Sequence, residues 1–301
     1  MTATPDTTTP DTTTLDARMG AFVWWDLDRC KVTPGHLRAV LAAEGLAGTG
    51  QPTDIDVPDI DPTSAVRRAC QNWAMGRGNA PRYRAEVTAV DNGKVYIGIL
   101  QHQREGQREV AWKQVELLAY DVQAGGWANQ HASDAARDFM AAANDFIAYH
   151  DHRFLRPGVI VPQLGRMKAI SLRKQGGIYF VPLANLDAAR KLKRVVAQLG
   201  ASELHICVVE NDPDARASVA GSAREHVMDQ LLGVQEQLGA WRESSRQVRS
   251  DSQANVLGQL AELLGLADLY ERTLEVSLKD LRAQVQAAQD DAMAILAGKA
   301  A

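Results

Sequence analysis

The sequence predicts an α+β protein: two α+β modules, each a mainly antiparallel sheet with covering helices, followed by a long helical, coiled-coil-like tail. Two β-rich runs on either side of Gly176-Gly177 are followed by an amphipathic helix and another strand. Asp91-Asn92-Gly93 is a strong hairpin signal between two further strands. Beyond Asp212, apolar residues recur at spacings of three and four. The predicted boundaries are a disordered tail at 1–18, modules at 19–152 and 153–211, and a helical region at 212–301.

The composition is that of a globular protein. Of 301 residues, 46% are apolar and 23% are charged, which excludes wholesale disorder. We find no apolar run of about 18 residues and no N-terminal signal pattern, so we expect no membrane partner. Cys30, Cys70 and Cys207 are odd in number and far apart, which predicts reduced thiols and a cytoplasmic location.

The N-terminal module is predicted to begin with a buried strand. Residues 1–18 contain the unit TPDTTT twice and almost no apolar side chains, so we expect a flexible tail. Gly20–Leu27 is a compact apolar run, and Thr33-Pro34 opens an amphipathic helix that ends at Gly45. Residues 47–62 are too rich in Gly, Pro and Asp for regular structure, which predicts a linker.

The remainder of this module is predicted to be a meander with helices. Asp61-Pro62-Thr63 starts a short helix. The predicted strands are Arg82–Val90, Lys94–Leu100 and Glu109–Tyr120, and the closing helix is Asp134–His150.

A His-x-His pair, His150 and His152, stands at the end of that closing helix. On a helix the two imidazoles point in different directions, whereas a metal site needs them to converge. Cationic side chains are favoured at a helix C-terminus. We therefore predict that these histidines interact with the helix dipole and that the chain binds no metal or other cofactor.

Asp26 and Asp28 form the most enzyme-like pattern in the chain. Two acids at i and i+2 after a buried strand are where phosphatases of the haloacid dehalogenase type and PIN-like nucleases hold Mg²⁺. The alternative function is thus a Mg²⁺-dependent phosphoryl-transfer enzyme, with Glu210 or Asp212 as a further acid. Cys30 departs from the phosphatase pattern, which has Thr or Val there. The competing interpretation is that the pair caps the next helix.

The second module is predicted to be a basic ββαβ unit. Strands Ala169–Arg173 and Ile178–Val181 flank a tight turn whose two glycines supply positive φ. Asn185 caps a helix that ends at Gly200, and Glu203–Val209 is the last strand.

Charge is concentrated in this module. Residues 153–202 carry ten Lys or Arg against Asp187 alone, a net +9, which leaves −13 for the rest of a chain of net −4. Such a cluster predicts binding to nucleic acid or another anion, or alternatively contact with an acidic protein surface. The predicted binding residues are Arg173, Lys174, Arg190, Lys191, Lys193 and Arg194.

The tail carries two apolar stripes separated by the polar segment Arg242–Asn255. The first stripe is Val227, Leu231, Val234, Leu238 and Trp241. The second is Leu257, Leu260, Leu264, Ala267, Glu271, Leu274, Leu278, Leu281, Val285, Ala288, Ala292 and Ile295. This heptad pattern predicts either a coiled coil between chains or an intramolecular helical hairpin.

The segments FVWWDL, TPGHLRAVLAAEGL and AISLRKQGGIYFVP resemble a family of uncharacterised proteins from bacteria and their phages. In that family a Gly-Gly-[IV]-Tyr-Phe-Val-Pro hairpin follows a long helix. The resemblance covers about residues 19–240 and leaves the tail out. It implies a bacterial or phage cytoplasm, and it supplies no catalytic residue because the family has no established activity.

No phosphate-binding loop, zinc-protease motif or serine-hydrolase motif is present in the sequence. We therefore favour a non-enzymatic protein that self-associates or bridges partners through its helical tail and presents a basic surface to nucleic acid or protein.

Overall fold

The computed structural model describes residues 18–51, 54–77, 80–105, 108–129, 131–173, 176–243 and 248–300. The chain divides into two compact units. Unit 1 contains the described residues through Leu27, then Val159–Gln198 and the chain from Ser202 onward, and unit 2 contains Asp28–Gly158 with Leu199–Ala201. The predicted flexible tail 1–18 lies outside the described residues except for Arg18.

The elements below are numbered in chain order. The strands are β1 Arg18–Asp26, β2 Lys31–Val32, β3 Ala74–Arg77, β4 Ala80–Asp91, β5 Lys94–Glu105, β6 Arg108–Asp121, β7 Gly126–Trp127, β8 His150–Asp151, β9 Ile170–Ser171, β10 Tyr179–Pro182 and β11 Glu203–Glu210. The α-helices are α1 Pro34–Ala43, α2 Pro62–Asn72, α3 Asp134–Ala148, α4 His152–Leu155, α5 Val161–Arg166, α6 Leu186–Ala197, α7 Pro213–Glu243, α8 Ser250–Leu274 and α9 Lys279–Ala300. A π-helical turn, Arg156–Ile160, and a 3₁₀ turn, Leu183–Asn185, complete the set.

Unit 1 is organised around an antiparallel sheet with the strand order β11-β1-β10-β9. β1 was predicted to belong to the N-terminal module, but it lies between β10 and β11, which come more than 150 residues later. Its alternate residues are apolar on both faces, as suits an inner strand with material on both sides. The sequence-based boundary at 152/153 therefore does not follow the pairing of this strand.

Helices cover both faces of this sheet. Phe180 and Ile170 join the apolar side chains of α7, α8 and α9 in one core. Val181 alternates to the opposite face, where α6 packs against β11, β1 and β10. The Tyr270 hydroxyl of α8 donates to the carbonyl oxygen of Lys168 at 2.9 Å, which ties the helical region to the sheet.

The predicted hairpin between β9 and β10 is present, with Tyr179 opposite Ser171. Gly176 and Gly177 have φ of 73° and 100°, as predicted. The prediction of a two-residue turn is wrong, however. Leu172 lies opposite Ile178, and its N–H donates to the Ile178 oxygen at 3.0 Å, so the connection between the paired residues is longer than two residues. Positive-φ glycines occur in longer connections as well as in tight turns, so their presence did not determine the loop length.

The helical region folds on itself. α7, α8 and α9 contact one another pairwise and bury their apolar faces within the chain. The continuous heptad helix expected from Leu257 to Ile295 is broken, because α8 ends at Leu274 and Glu275 adopts a left-handed φ of 53°. The intramolecular alternative accounts for this arrangement, with three helices in place of two.

Unit 2 contains an antiparallel sheet with the order β3-β4-β5-β6-β7. The predicted hairpin is confirmed, since Asn92 and Gly93 have φ of 49° and 74° and Asp91 pairs with Lys94. Helices α2 and α3 cover one face, with Val66 and Phe139 in the core beside Ile97 and Leu118.

Two local predictions in unit 2 are corrected. The segment 47–62 has no helix or strand before α2 in its described residues, yet Ile55 and Val57 are buried, so it packs on the unit and is not a free linker. The closing helix ends at Ala148, and His150 lies in β8, paired with β2. His150 is buried, stacks on Phe154 and has Nε2 3.1 Å from the Pro58 oxygen. Burial lowers the pKa of His150 and so favours its neutral form, and the residue lies in a strand and not at a helix end.

Candidate functional site

Helix α6 presents most of the predicted binding residues on one exposed surface. Its buried face includes Leu192, Val195 and Val196. A helix advances 100° per residue, so the positions between these apolar residues project outward. We call the exposed set the α6 basic surface: Arg190, Lys191, Lys193 and Arg194.

Little negative charge accompanies this surface on the helix itself. Asp187 is the acid of α6, and its Oδ1 lies 2.9 Å from Nη1 of Arg190. Arg173, in the connection between β9 and β10, is also exposed. Lys174 lies outside the described residues.

The predicted acidic pair occupies the end of β1 and the residues just after it. Asp26 is exposed and lies opposite Glu203 in the register of β1 and β11. Asp28 is exposed in unit 2. Because β1 and β11 are antiparallel, Glu210 pairs with Arg18 at the other end of β1, roughly 26 Å from Asp26 at about 3.3 Å per residue. Glu210 therefore cannot share a metal ion with Asp26.

Within the part of the chain that the structure describes, no three His, Cys, Asp or Glu side chains are grouped so that they could hold a metal ion. Two-metal and one-metal phosphoryl-transfer sites need several converging oxygen ligands. The phosphoryl-transfer alternative with Asp26 and Asp28 thus gains no support from the geometry.

Sequence reasoning missed an aromatic pair beside Asp26. Trp24 and His205 are opposite each other on β1 and β11, and their rings stack with centroids 5.0 Å apart at 16°. Asp26 and Glu203 are the next residues on the same face of the sheet. We call these four side chains the aromatic–acidic platform. The only sequence signal for it was the period of two in β1, because its partner strand lies far away in sequence.

Unit 2 contains a groove of about 710 Å³ between α2 and β4. It is lined by Arg67, Cys70, Gln71, Trp73, Arg84, Ala85, Glu86 and Val87. The Arg84 guanidinium already lies 4.5 Å above the Trp112 ring and 2.8 Å from Glu86 Oε1. Burial raises the pKa of Cys70 to about 12, so its thiol stays neutral and a poor nucleophile. Arg84 and Glu86 are therefore paired with each other in the groove, and the thiol of Cys70 is not activated.

The three cysteines are free thiols, of which Cys30 is buried and Cys207 is exposed. In the described part of the chain, no helix is both long enough and apolar enough to cross a membrane.

These features define an α+β protein with two large antiparallel sheets, a helical C-terminal region and an exposed basic helix. The model of DUF6744, a family of unknown function, matches residues 18–301, and the chain belongs to that family. The match extends through α9, so it includes the helical region that the sequence resemblance left out. No curated protein and no solved structure matches the chain.

Proposed function

We propose that this protein is a non-enzymatic binding protein that holds nucleic acid along the α6 basic surface. The observation that carries the proposal is the concentration of Arg190, Lys191, Lys193 and Arg194 on the exposed side of one anchored helix. Lys and Arg side chains that contact phosphates release condensed counterions, and this release drives sequence-independent binding.

The packing of α6 supports this role. Its apolar face is buried, so the backbone that carries the basic side chains is held in place by the sheet. A fixed backbone lowers the entropy lost when long side chains engage a ligand. Arg190 is partly neutralised by Asp187, so we assign larger contributions to Lys191 and Lys193 than to Arg190.

Self-association through the tail receives less support. The apolar faces of α7, α8 and α9 are used within the chain, which leaves isolated exposed side chains such as Leu232 and Met293 in place of a continuous stripe. Single exposed apolar residues are ordinary on protein surfaces. We therefore place the partner contacts of this protein on its charged surfaces.

The test is fluorescence anisotropy with labelled duplex DNA and single-stranded RNA over about 50 to 200 mM salt. We expect binding that weakens steeply with salt. Replacement of Lys191, Lys193 and Arg194 by Glu should abolish binding. For variants that remove one contact at a time, the slope of log K against log salt should fall by about 0.9 per phosphate contact on duplex DNA.

The matched control replaces three exposed basic residues of the helical region, Arg249, Arg272 and Lys279, by Glu. It changes the net charge equally and should keep most of the affinity. No binding at low salt, or equal losses in the two triple variants, would reject the α6 basic surface as the binding site.

A further inference from the structure

The aromatic–acidic platform lies where β1 extends beyond its pairing with β10. β1 pairs with β10 only from Gly20 to Val23, whereas its pairing with β11 continues to Asp26. The last residues of β1 therefore have a strand partner on one side only, within the described part of the chain. Trp24 is 36% exposed at this position, so part of its indole ring is accessible to a ligand.

The arrangement of side chains along the strands is ordered. Facing pairs on one side of the sheet are Phe22 with Cys207, then Trp24 with His205, then Asp26 with Glu203. Successive pairs are roughly 6.6 Å apart, at about 3.3 Å per residue. An aromatic surface is thus followed, one step along the strand, by two exposed carboxylates.

An aromatic face beside two carboxylates favours a cationic ligand. An indole face attracts cations through its quadrupole, and Trp is the best of the aromatic residues for this interaction. Carboxylates one step away would then receive the hydrogen bonds of the cation. A planar guanidinium can stack on the indole and also pair with a carboxylate, whereas an ammonium acts mainly as a point charge.

We propose that the aromatic–acidic platform binds an arginine side chain of a partner peptide, with the arginine lying over Trp24 and its guanidinium directed to Asp26 and Glu203. Glu203 Oε1 lies 3.5 Å from Nδ1 of His205, so this carboxylate is beside the aromatic pair. The occupant is a basic peptide because charge complementarity selects it: the two groups at the end of the platform are both acids.

The platform and the α6 basic surface belong to opposite faces of the same sheet. α6 packs on the face of Val23 and Val181, and Trp24 and Asp26 alternate to the other face. The protein could then hold a polyanion on one side and a basic peptide on the other. The inference does not depend on nucleic-acid binding, because the two surfaces share no residue.

The test measures binding of a fluorescein-labelled peptide of alternating Arg and Gly to the full chain by anisotropy. The control peptide has citrulline in place of arginine, which keeps the shape and removes the charge. We expect about tenfold weaker binding for Trp24→Ala and for the double variant Asp26→Asn, Glu203→Gln, and little binding of the citrulline peptide. Glu225→Gln on α7, an exposed carboxylate elsewhere in the same unit, should bind as the wild type.

Circular dichroism of each variant checks that the fold is kept, and Trp24→Phe, which retains an aromatic face, should recover much of the affinity. Equal affinity for the arginine and citrulline peptides would overturn the proposal, as would unchanged binding in both platform variants. Light scattering that shows a self-associated wild type and monomeric platform variants would assign the surface to a second copy and also overturn it. Glu substitutions at Lys191, Lys193 and Arg194 should leave peptide binding intact, which separates this result from the nucleic-acid test.

Discussion

The two large sheets differ in what lies on their faces. The sheet of unit 1 has α6 on one face and the core of α7, α8 and α9 on the other. The sheet of unit 2 has α2 and α3 on one face, and Leu117 on its other face is 47% exposed. A sheet covered on both faces must be apolar on both, whereas a sheet with one solvated face alternates.

The two sheets also differ in how far apart their strands are in sequence. β4, β5 and β6 are consecutive in the chain, with two residues between each strand and the next, so each finds its partner locally. β1 instead pairs with β10 and β11, and the chain forms most of unit 2 between β1 and these two strands. Closing such a separation costs loop entropy before the contacts stabilise it. We infer that the contacts of the C-terminal helices offset this entropy in unit 1, and that unit 2 needs less such compensation.

The largest expected effect comes from truncation after Trp241, which removes α8 and α9. The seven buried side chains of α8 alone, at about 1.5 to 3 kcal/mol each for those of Leu or Val size, rival a typical stability of 5 to 15 kcal/mol. We expect loss of the unit 1 fold, seen as aggregation in light scattering and a reduced helical signal. Deletion of residues 2–17, which the family match does not include, should leave melting unchanged. A truncated protein that does not aggregate and melts at the same temperature as the full chain would show that the sheet does not need these helices.

Alanine substitution of one glycine in each sheet should have a smaller effect on stability, and the size of the effect should differ between the two sheets. A Cβ on Gly20 in β1 would lie 2.3 Å from the Val181 oxygen and 2.5 Å from the Phe180 ring. Gly20→Ala should therefore cost about 1 to 3 kcal/mol of unfolding free energy, as overpacking does. A Cβ on Gly98 in β5 meets the flexible end of Gln114 at 2.8 Å, and we expect less than about 1 kcal/mol for Gly98→Ala. Urea denaturation measures both, and equal costs would contradict the contrast between the covered and the solvated face.

The smallest expected effect is a pH dependence in each unit. Burial lowers the pKa of His150 in unit 2 and of His226 in unit 1 below the usual 6.5. Arg38 and Arg68 also lower that of His150, whereas the hydrogen bond to Pro58 and the charge of Asp151 raise it. Below pH 6.5 the unfolded state binds more protons than the folded state, so stability rises with pH up to about 6.5 and falls on acidification.

His150→Gln keeps a side-chain N–H donor for the Pro58 oxygen and removes the titration. We expect this variant to lose less stability than the wild type between pH 6.5 and the lowered pKa of folded His150. Urea denaturation at several pH values measures this difference. An unchanged pH slope in this variant would mean that His150 is as easily protonated in the folded state as in the unfolded state.

The local elements could be predicted well from the sequence, because their signals lie in neighbouring residues. Thr33 and Asp61 cap α1 and α2 as predicted, through bonds to N–H groups two or three residues on. Gly200 has the positive φ expected after α6. The α6 basic surface was predictable for the same reason, since helical spacing alone separates its charges from its apolar face.

Glu271 shows why the helical region could be predicted only in part. The sequence placed this acid in the apolar stripe as a lapse within one heptad pattern. In the structure its Oε1 accepts the Leu278 N–H at 3.2 Å across the break between α8 and α9, and its Oε2 lies 3.3 Å from Arg282. The spacing of three and four continues through the break, so periodicity could not reveal it. The pattern Ser277-Leu278-Lys279-Asp280, which has the spacing of a capping box, was the available sign of a new helix.

By itself, the sequence determined the α+β class, the hairpin of unit 2, the capped helices and the basic face of α6, because these depend on interactions between residues close together in the chain. Only the tertiary structure decided that β1 joins β10 and β11, that α7, α8 and α9 pack on one another, and that Trp24, His205, Asp26 and Glu203 share a surface. Each of these brings together segments that are distant in sequence. Such pairings are selected by the total burial they achieve, and no local pattern records which partner a strand or an apolar stripe will find.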